Sequence, residues 1–497
     1  MKDILINIFY VFFVINPVMA VLHGYDLHAN LLNLTKEVQI AHPLYSGLSF
    51  EDWLAHEERE AIKGLKKNLS TQGVSPGAVT ASPSRGHPDY FYHWVRDASI
   101  VAGTVLDLYE RADDEKERFS DEQFLKDFTH FSRTNQLTPN RSGGLGEPKF
   151  NVDGTAFNAE WGRPQNDGPA LRAITLIRWA GHLLRRGQIH WVRSQLYDGL
   201  IPTHTVIKAD LEFISHHWME PSFDLWEEVY GQHFYTRMVQ RKALLDGAAL
   251  ADELGDHAAA LWYRGQASSL KEVILRHWNA SQGLFQVTLD QQGGISSKSS
   301  GLDIGVLLGV LHGSQEDRFL SVSDDRVLST AFQLRRAFQK LYHVNAVHEL
   351  GVAVGRYPED MYDGYEVSVH GGNPWVLATL ALGEFYYRVA LEWEQQGSVR
   401  VTELNLPFLL SLSEVEWRTP HLSLGEVVGQ SDPQFQEWLR LLQLNGDLQL
   451  RRVQYHSPAS GQLFEQMNRD TGFMQGAPDL AWSYASFLSA LWVREKL

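Results

Sequence analysis

The chain contains no cysteine. Disulfides, thiolate nucleophiles and cysteine-ligated metals are therefore excluded, and a large core must hold the fold alone. Positive charge is also short: 44 Lys and Arg face 60 Asp and Glu, for a net charge of −16. That balance argues against nucleic acid as a partner and offers no pull toward anionic membranes. Its 21 His show no HExxH or comparable ligand spacing, and no glycine-rich phosphate loop is found. No metal or cofactor is expected. Pro/Gly/Ser linkers and low-complexity tracts are missing too, and strand-like alternation is scarce beyond "GLFQVTLD" at 283–290.

Long apolar runs are confined to the first residues. Lys2, an apolar run from Ile4 to Ile15 and the small-residue ending Val18-Met19-Ala20 match a secretory signal better than a membrane span. The expectation is a signal peptide over 1–20 and one large α domain over 21–497, with a less regular insertion at 398–435. The destination would be the secretory pathway (extracellular, wall or vacuolar), with no stable membrane association after cleavage. Sequons at Asn33, Asn68, Asn140 and Asn279 modestly support this.

Aromatics are what the chain has in quantity: 15 Trp, 18 Tyr and 24 Phe. Such rings fill cores, and they also stack on the apolar faces of sugars. Helical periodicity dominates, as in "GPALRAITLIRWAGHLLRRG" and "NPWVLATLALGEFYYRVALEWEQQG". Several segments are apolar nearly all round, which predicts helices packed on more than one side. Five loops resemble one another in Trp, Tyr, acids, Arg and Gly. They are "HPDYFYHWVRDAS" (87–99), "GLGEPKFNVDGTAFNAEWGRPQNDGPA" (144–170), "FDLWEEVYGQHF" (223–234), "GRYPEDMYDGYEVSVHGGNPW" (355–375) and "LFEQMNRDTGFMQGAPDLAWSY" (463–484). Gathered at one end of a helical toroid, they would wall a pocket with rings and floor it with carboxylates. A neutral polyhydroxylated ligand suits such a pocket.

The third loop sets Glu227 and Glu228 side by side behind Asp224 and Trp226. Alone, the pair reads as a solvated helix start, where acids complement the macrodipole. The five loops together say more. In wording, order and spacing they resemble the fungal-type glucoamylases of glycoside hydrolase family 15, from about residue 50 to the C-terminus. The resemblance implies an all-α (α/α)6 barrel, monomeric, that removes glucose with inversion from the non-reducing ends of α-1,4-linked glucans: starch, glycogen or maltooligosaccharides. It makes Glu227 the general acid and Glu465 the general base. Trp226, Phe223 and the charge of Asp224 would favour the protonated form of Glu227. Glu228 would bind sugar on the leaving-group side, and Tyr484 and Gln466 would position the base. Arg96 and Asp97 match the holders of the terminal glucose, Tyr90 and Trp94 its wall, and Trp161 the ring that covers it. Asp167, Arg356, Asp360 and Trp375 complete the binding set. Asn166 stands where an Arg is expected, which predicts weaker contacts beyond the first sugar. A trehalase or isomaltose-preferring relative, and a silent binding domain of the same fold, are the rival readings. Retention of both Glu227 and Glu465 disfavours the second. The chain ends 13 residues after Tyr484, so an attached starch-binding module is not expected.

Overall fold

A computed structural model describes residues 47–70, 73–346, 349–416 and 421–497. The predicted signal segment and Asn33 fall outside the described residues. Twelve helices form the frame: α1 (Phe50–Lys67), α2 (Val95–Arg111), α3 (Glu115–Leu137), α4 (Gly168–Arg185), α5 (Val206–His217), α6 (Phe234–Glu253), α7 (His257–Leu275), α8 (Gly305–Gly313), α9 (Asp325–Leu341), α10 (Val376–Gln396), α11 (Pro433–His456) and α12 (Ala481–Arg494).

Six of them close a ring. Helix α2 packs on α4, α4 on α6, α6 on α8, α8 on α10, α10 on α12, and α12 returns to α2. The alternate helices lie outside: α3 on α2, α5 on α4, α7 on α6, α11 on α10 and α1 on α12. Helix α9 follows α8 and packs on the strand Leu284–Phe285 and a short helix, Leu406–Leu412. This is the (α/α)6 barrel that the resemblance implied. The inner helix α10 buries Leu377, Leu380, Phe385, Tyr387 and Trp393, residues from all around its circumference. Helix α9 buries one face, Val327, Leu328, Ala331, Leu334 and Phe338, at the spacing of an amphipathic surface helix. Layers approach closely where glycine allows it: a Cβ on Gly446 of α11 would lie 2.3 Å from the ring of Tyr387 on α10.

The two layers start their helices differently. Among outer helices, Ser49, Asp114, Asp256, Asp324 and Asp432 each accept a backbone N–H of the first turn through the side chain. No inner helix has a side-chain cap. Instead, leading N–H groups donate to carbonyls of neighbouring loops: Val95 to Pro148 (2.9 Å), Phe234 to Val287 (2.9 Å), Ile304 to Arg356 (2.9 Å), Val376 to Glu465 (3.1 Å) and Ala481 to Ala81 (2.8 Å). The loops at this end are thereby tied to one another through the helices they feed.

Within the predicted irregular insertion, the described residues 398–416 and 421–435 carry regular elements. Ser398–Arg400 pairs antiparallel with Val427–Gly429 around the short helix. The sequon residue Asn68 is fully buried, its amide donating to the carbonyls of Gly64 and Asp479 and accepting from Thr80. A glycan has no room there. Among the described residues no helix is long and apolar enough to cross a membrane.

Candidate active site

The loops entering α2, α6, α10 and α12, with Trp161 from the loop before α4, enclose a cavity of about 520 Å³. Trp482 closes its base and also lines a second cavity, of about 220 Å³, deeper along the barrel. The upper cavity thus ends blind.

The adjacent acids do not begin a helix. Residues Ser222–Phe223 and Val229–His233 form an antiparallel hairpin with Phe223 opposite Tyr230. Its tip is closed from within: Glu227 N–H donates to the Asp224 carbonyl at 2.9 Å. The Asp224 carboxylate accepts the N–H of Glu228 (2.8 Å) and Val229 (3.0 Å). Glu227 takes the left-handed conformation, φ 69°, a cost that a well-determined site can carry. The two neighbours therefore leave the backbone toward different partners. Glu227 Oε1 accepts the Trp94 indole N–H at 2.7 Å and the Gln165 amide at 3.0 Å, with Arg96 at 3.7 Å. Glu228 accepts Arg356 at 2.8 Å and the Tyr357 hydroxyl at 2.7 Å. Burial raises the pKa of Glu228, and Arg356 and Lys298 oppose it.

Two residues expected to act on Glu227 face other partners. Trp226 turns its indole N–H to Asp303 (2.9 Å) and its ring toward Trp375. Asp224 is completely buried and ion-paired with Lys298 at 2.7 Å. Burial works to raise its pKa, but Lys298, His233 and backbone donors outweigh it and hold it near 2. Asp224 is a turn anchor, not a cavity-lining group. The same correction applies to Asp167 and Asp360. Asp167 pairs with Arg96 at 3.1 Å, and Asp360 grips Arg356 through both oxygens at 2.7 and 2.6 Å. All three sit behind the cationic or backbone groups they orient, outside the cavity wall.

Glu465 is buried completely, opening the strand pair Gln466–Met467/Met474–Gln475. Its Oε1 accepts the Tyr90 hydroxyl at 2.8 Å, and Tyr90 in turn meets the Tyr362 hydroxyl at 3.0 Å. Its Oε2 has no partner. Burial pushes the carboxyl up to about 8, against the Tyr90 hydrogen bond, the Arg356 charge and the Ala477 backbone. Gly476 makes room for it: a Cβ there would lie 2.5 Å from Oε2, at a φ of +74°. Tyr484 does not position this group; its hydroxyl donates to Asp479. Gln466 accepts from Asn373 instead. The hydroxyl that reaches Glu465 is that of Tyr90, which also lines the cavity.

Arg96 and Asp97 reach the cavity beside Trp482. Burial opposes charge on Arg96, but Asp167, Asp97 and Glu227 outweigh it and raise its pKa. Burial lifts Asp97 to about 6 against the Arg96 charge; its Oδ2 makes no hydrogen bond but lies 3.4 Å from Arg96 Nε. Tyr90, Trp94, Trp161, Arg356 and Trp375 line the cavity as predicted, joined by Tyr362, Trp226 and Trp482. Trp482 and Tyr362 belong to the motifs "DLAWSYA" and "PEDMY" and were readable there. Lys298 lies in an unremarkable "SSKSSG" stretch that carries no such signal. Asn166 is buried against Gly146 and Gln240 and is not among the residues that line the cavity.

Residues 62–492 match the family Glycosyl hydrolases family 15. The chain is 43% identical over 443 residues to the Glucoamylase of Blastobotrys adeninivorans, covering 87% of this chain and 69% of that one. It is 36% identical over 451 residues to Glucoamylase 1 of Rhizopus oryzae, covering 90% and 71%. Among solved structures, the Glycoside Hydrolase Family 15 Glucoamylase from Hypocrea jecorina superposes with a TM-score of 0.81 at 31% identity, over 90% of this chain and 73% of that one. The glucoamylase from Saccharomycopsis fibuligera does so with 0.78 at 29% identity, over 92% and 99%. The chain belongs to glycosyl hydrolase family 15.

Proposed function

We propose that Glu227 is the general acid and Glu465 the general base with which this enzyme hydrolyses α-1,4-linked glucans. It is an exo-acting, inverting glucan 1,4-α-glucosidase, releasing β-glucose from non-reducing ends. The observation that carries the assignment is depth. In a blind pocket the terminal sugar enters first and the leaving chain points outward. The carboxyl nearer the mouth must serve the leaving oxygen, and the deeper one must serve the water. The Glu227 side chain is 17% exposed, whereas Glu465 is 0% exposed. The unpartnered Oε2 of Glu465 is the acceptor for the attacking water. A donor at that oxygen, with Tyr90 on the other, favours the carboxylate against burial. Arg96 and Asp97 hold hydroxyls of the terminal glucose at the base, Arg356 and Glu228 hold the sugar near the reacting bond, and Trp161 covers it. Attack opposite the leaving oxygen, with roughly 6.5–9.5 Å between carboxyls, inverts the centre.

One observation favours the reverse assignment: burial raises the pKa of Glu465. If Glu465 carried the proton, it would be the acid and Glu227 the base. Maltose turnover followed by NMR tests the proposal. The first glucose should be the β-anomer, and both Glu227→Gln and Glu465→Gln should lose nearly all turnover while binding persists. A Glu→Gln variant that keeps near wild-type kcat removes that residue from the mechanism. The apolar run at 4–15 and the part-exposed sequon at Asn279 support entry into the secretory pathway.

A further inference from the structure

Behind the Trp94 face of the pocket, four rings close a square. Tyr92 meets Trp94 (5.9 Å, 86°), Trp94 meets Trp161 (6.1 Å, 63°), Trp161 meets Phe157 (5.8 Å, 88°) and Phe157 meets Tyr92 (5.1 Å, 72°), each edge to face. The square encloses a cation from the same chain. Lys149 Nζ lies 3.3 Å from the Trp161 ring centroid, 4.0 Å from Phe157, 4.3 Å from Trp94 and 4.5 Å from Tyr92. Lys149 is itself buried, and its backbone pairs with Trp94 in a two-stranded bridge. Two of the rings are site residues. Trp94 donates to Glu227 Oε1, and Trp161 overhangs the mouth with 38% of its surface exposed.

We infer that Lys149 is a positioning residue for the reaction: its ammonium locks Trp94 and Trp161 in place and sets the charge balance around the Glu227 carboxyl. An ammonium among ring faces is attracted to each, more strongly when desolvated. No other square of this kind, closed around a lysine, surrounds the cavity among the described residues. Taking the ammonium from water is costly, and burial lowers the Lys149 pKa to about 8. The proton is held on by Glu227 first, then Asp89 and Glu147, with Arg163 opposing. Arg96 and Asp97 face Glu227 from α2 and stay when Lys149 is replaced. Below pH 8 Lys149 is therefore a cation, and a neutral replacement removes a positive charge that interacts with the Glu227 carboxyl.

This inference rests on Glu227 being the acid, and the test separates the two. Lys149→Met fills the square with a chain of similar length but no charge, and Lys149→Gln is a second neutral replacement. Lys149→Arg keeps the charge. With maltose, the alkaline limb of the kcat profile should move upward by roughly 0.5–1 pH unit in either neutral variant. It should stay in place in Lys149→Arg. KM for maltose should rise about 3-fold to 10-fold in all three as the rings loosen. With α-glucosyl fluoride, whose leaving group needs no proton, kcat of the neutral variants should stay near wild type. Neutral variants that fold and bind but leave the maltose limb unmoved overturn the inference, and leave the reading of Glu227 standing. Equal loss of both substrates in Glu227→Gln overturns the reading itself.

Discussion

The outer and inner helices begin in different ways. An outer helix such as α11 starts on Asp432, whose carboxylate accepts the Gln434 N–H at 2.8 Å. The inner helix α10 starts on the Glu465 carbonyl, supplied by a loop far along the chain. Five of the six outer starts, all but that of α5, are capped within one turn of sequence; inner starts exist only once the barrel has closed. The same tertiary bonds that satisfy the inner N-termini fix the loops that carry Glu227, Glu228, Arg356 and Glu465. The loops leading into α2, α4, α6, α10 and α12 line the cavity, so the N-terminal dipole ends of these five helices lie on its side.

Substitutions at the two ends should therefore differ in kind. The largest effect falls on the deep carboxylate, where Glu465→Gln removes the base. Maltose kcat should drop by about 10³-fold or more, with the melting temperature nearly unchanged. Next comes Gly476→Ala, which combines a positive φ with a Cβ pressed on Glu465 Oε2. It should cost about 1–3 kcal/mol in urea unfolding and lower kcat with it. Tyr90→Phe is milder. The Tyr90 hydrogen bond lowers the pKa of Glu465, so its loss raises that pKa further. A base must be ionised, so the acid limb of kcat/KM should move to higher pH by about one unit. An unmoved limb would take Tyr90 out of this role. The smallest effect belongs to the outer layer. Asp432→Ala should cost about 0.5–2 kcal/mol and leave kcat and KM as they were; a changed kcat would show that the layers are coupled more tightly than their helix starts indicate.

The same contrast explains what could be read from the chain. Periodic segments located α4 and α10 to within a few residues, whereas the Asp432-Pro433 helix start lies in the stretch expected to be irregular. Motif wording located the cavity residues, because the loops before inner helices carry the aromatic and acidic residues in runs. Partnerships were not legible. That Asp224 would turn to Lys298, that Tyr90 and not Tyr484 would reach Glu465, and that Lys149 would sit inside a square of rings all depend on loops meeting across the barrel. The adjacent acids show the limit most clearly. Neighbouring residues on a helix do not share a partner, and neither do these, but the reason is a hairpin tip with Glu227 at positive φ.

The most direct measurement of the central claim compares Glu227→Gln and Glu465→Gln on maltose and on α-glucosyl fluoride. A fluoride departs without a proton but still needs an activated water. If Glu227 is the acid and Glu465 the base, Glu227→Gln should lose maltose turnover yet keep a substantial share of fluoride hydrolysis, while Glu465→Gln loses both. The opposite pattern, with fluoride turnover surviving in Glu465→Gln and lost in Glu227→Gln, would contradict the account and exchange the two roles.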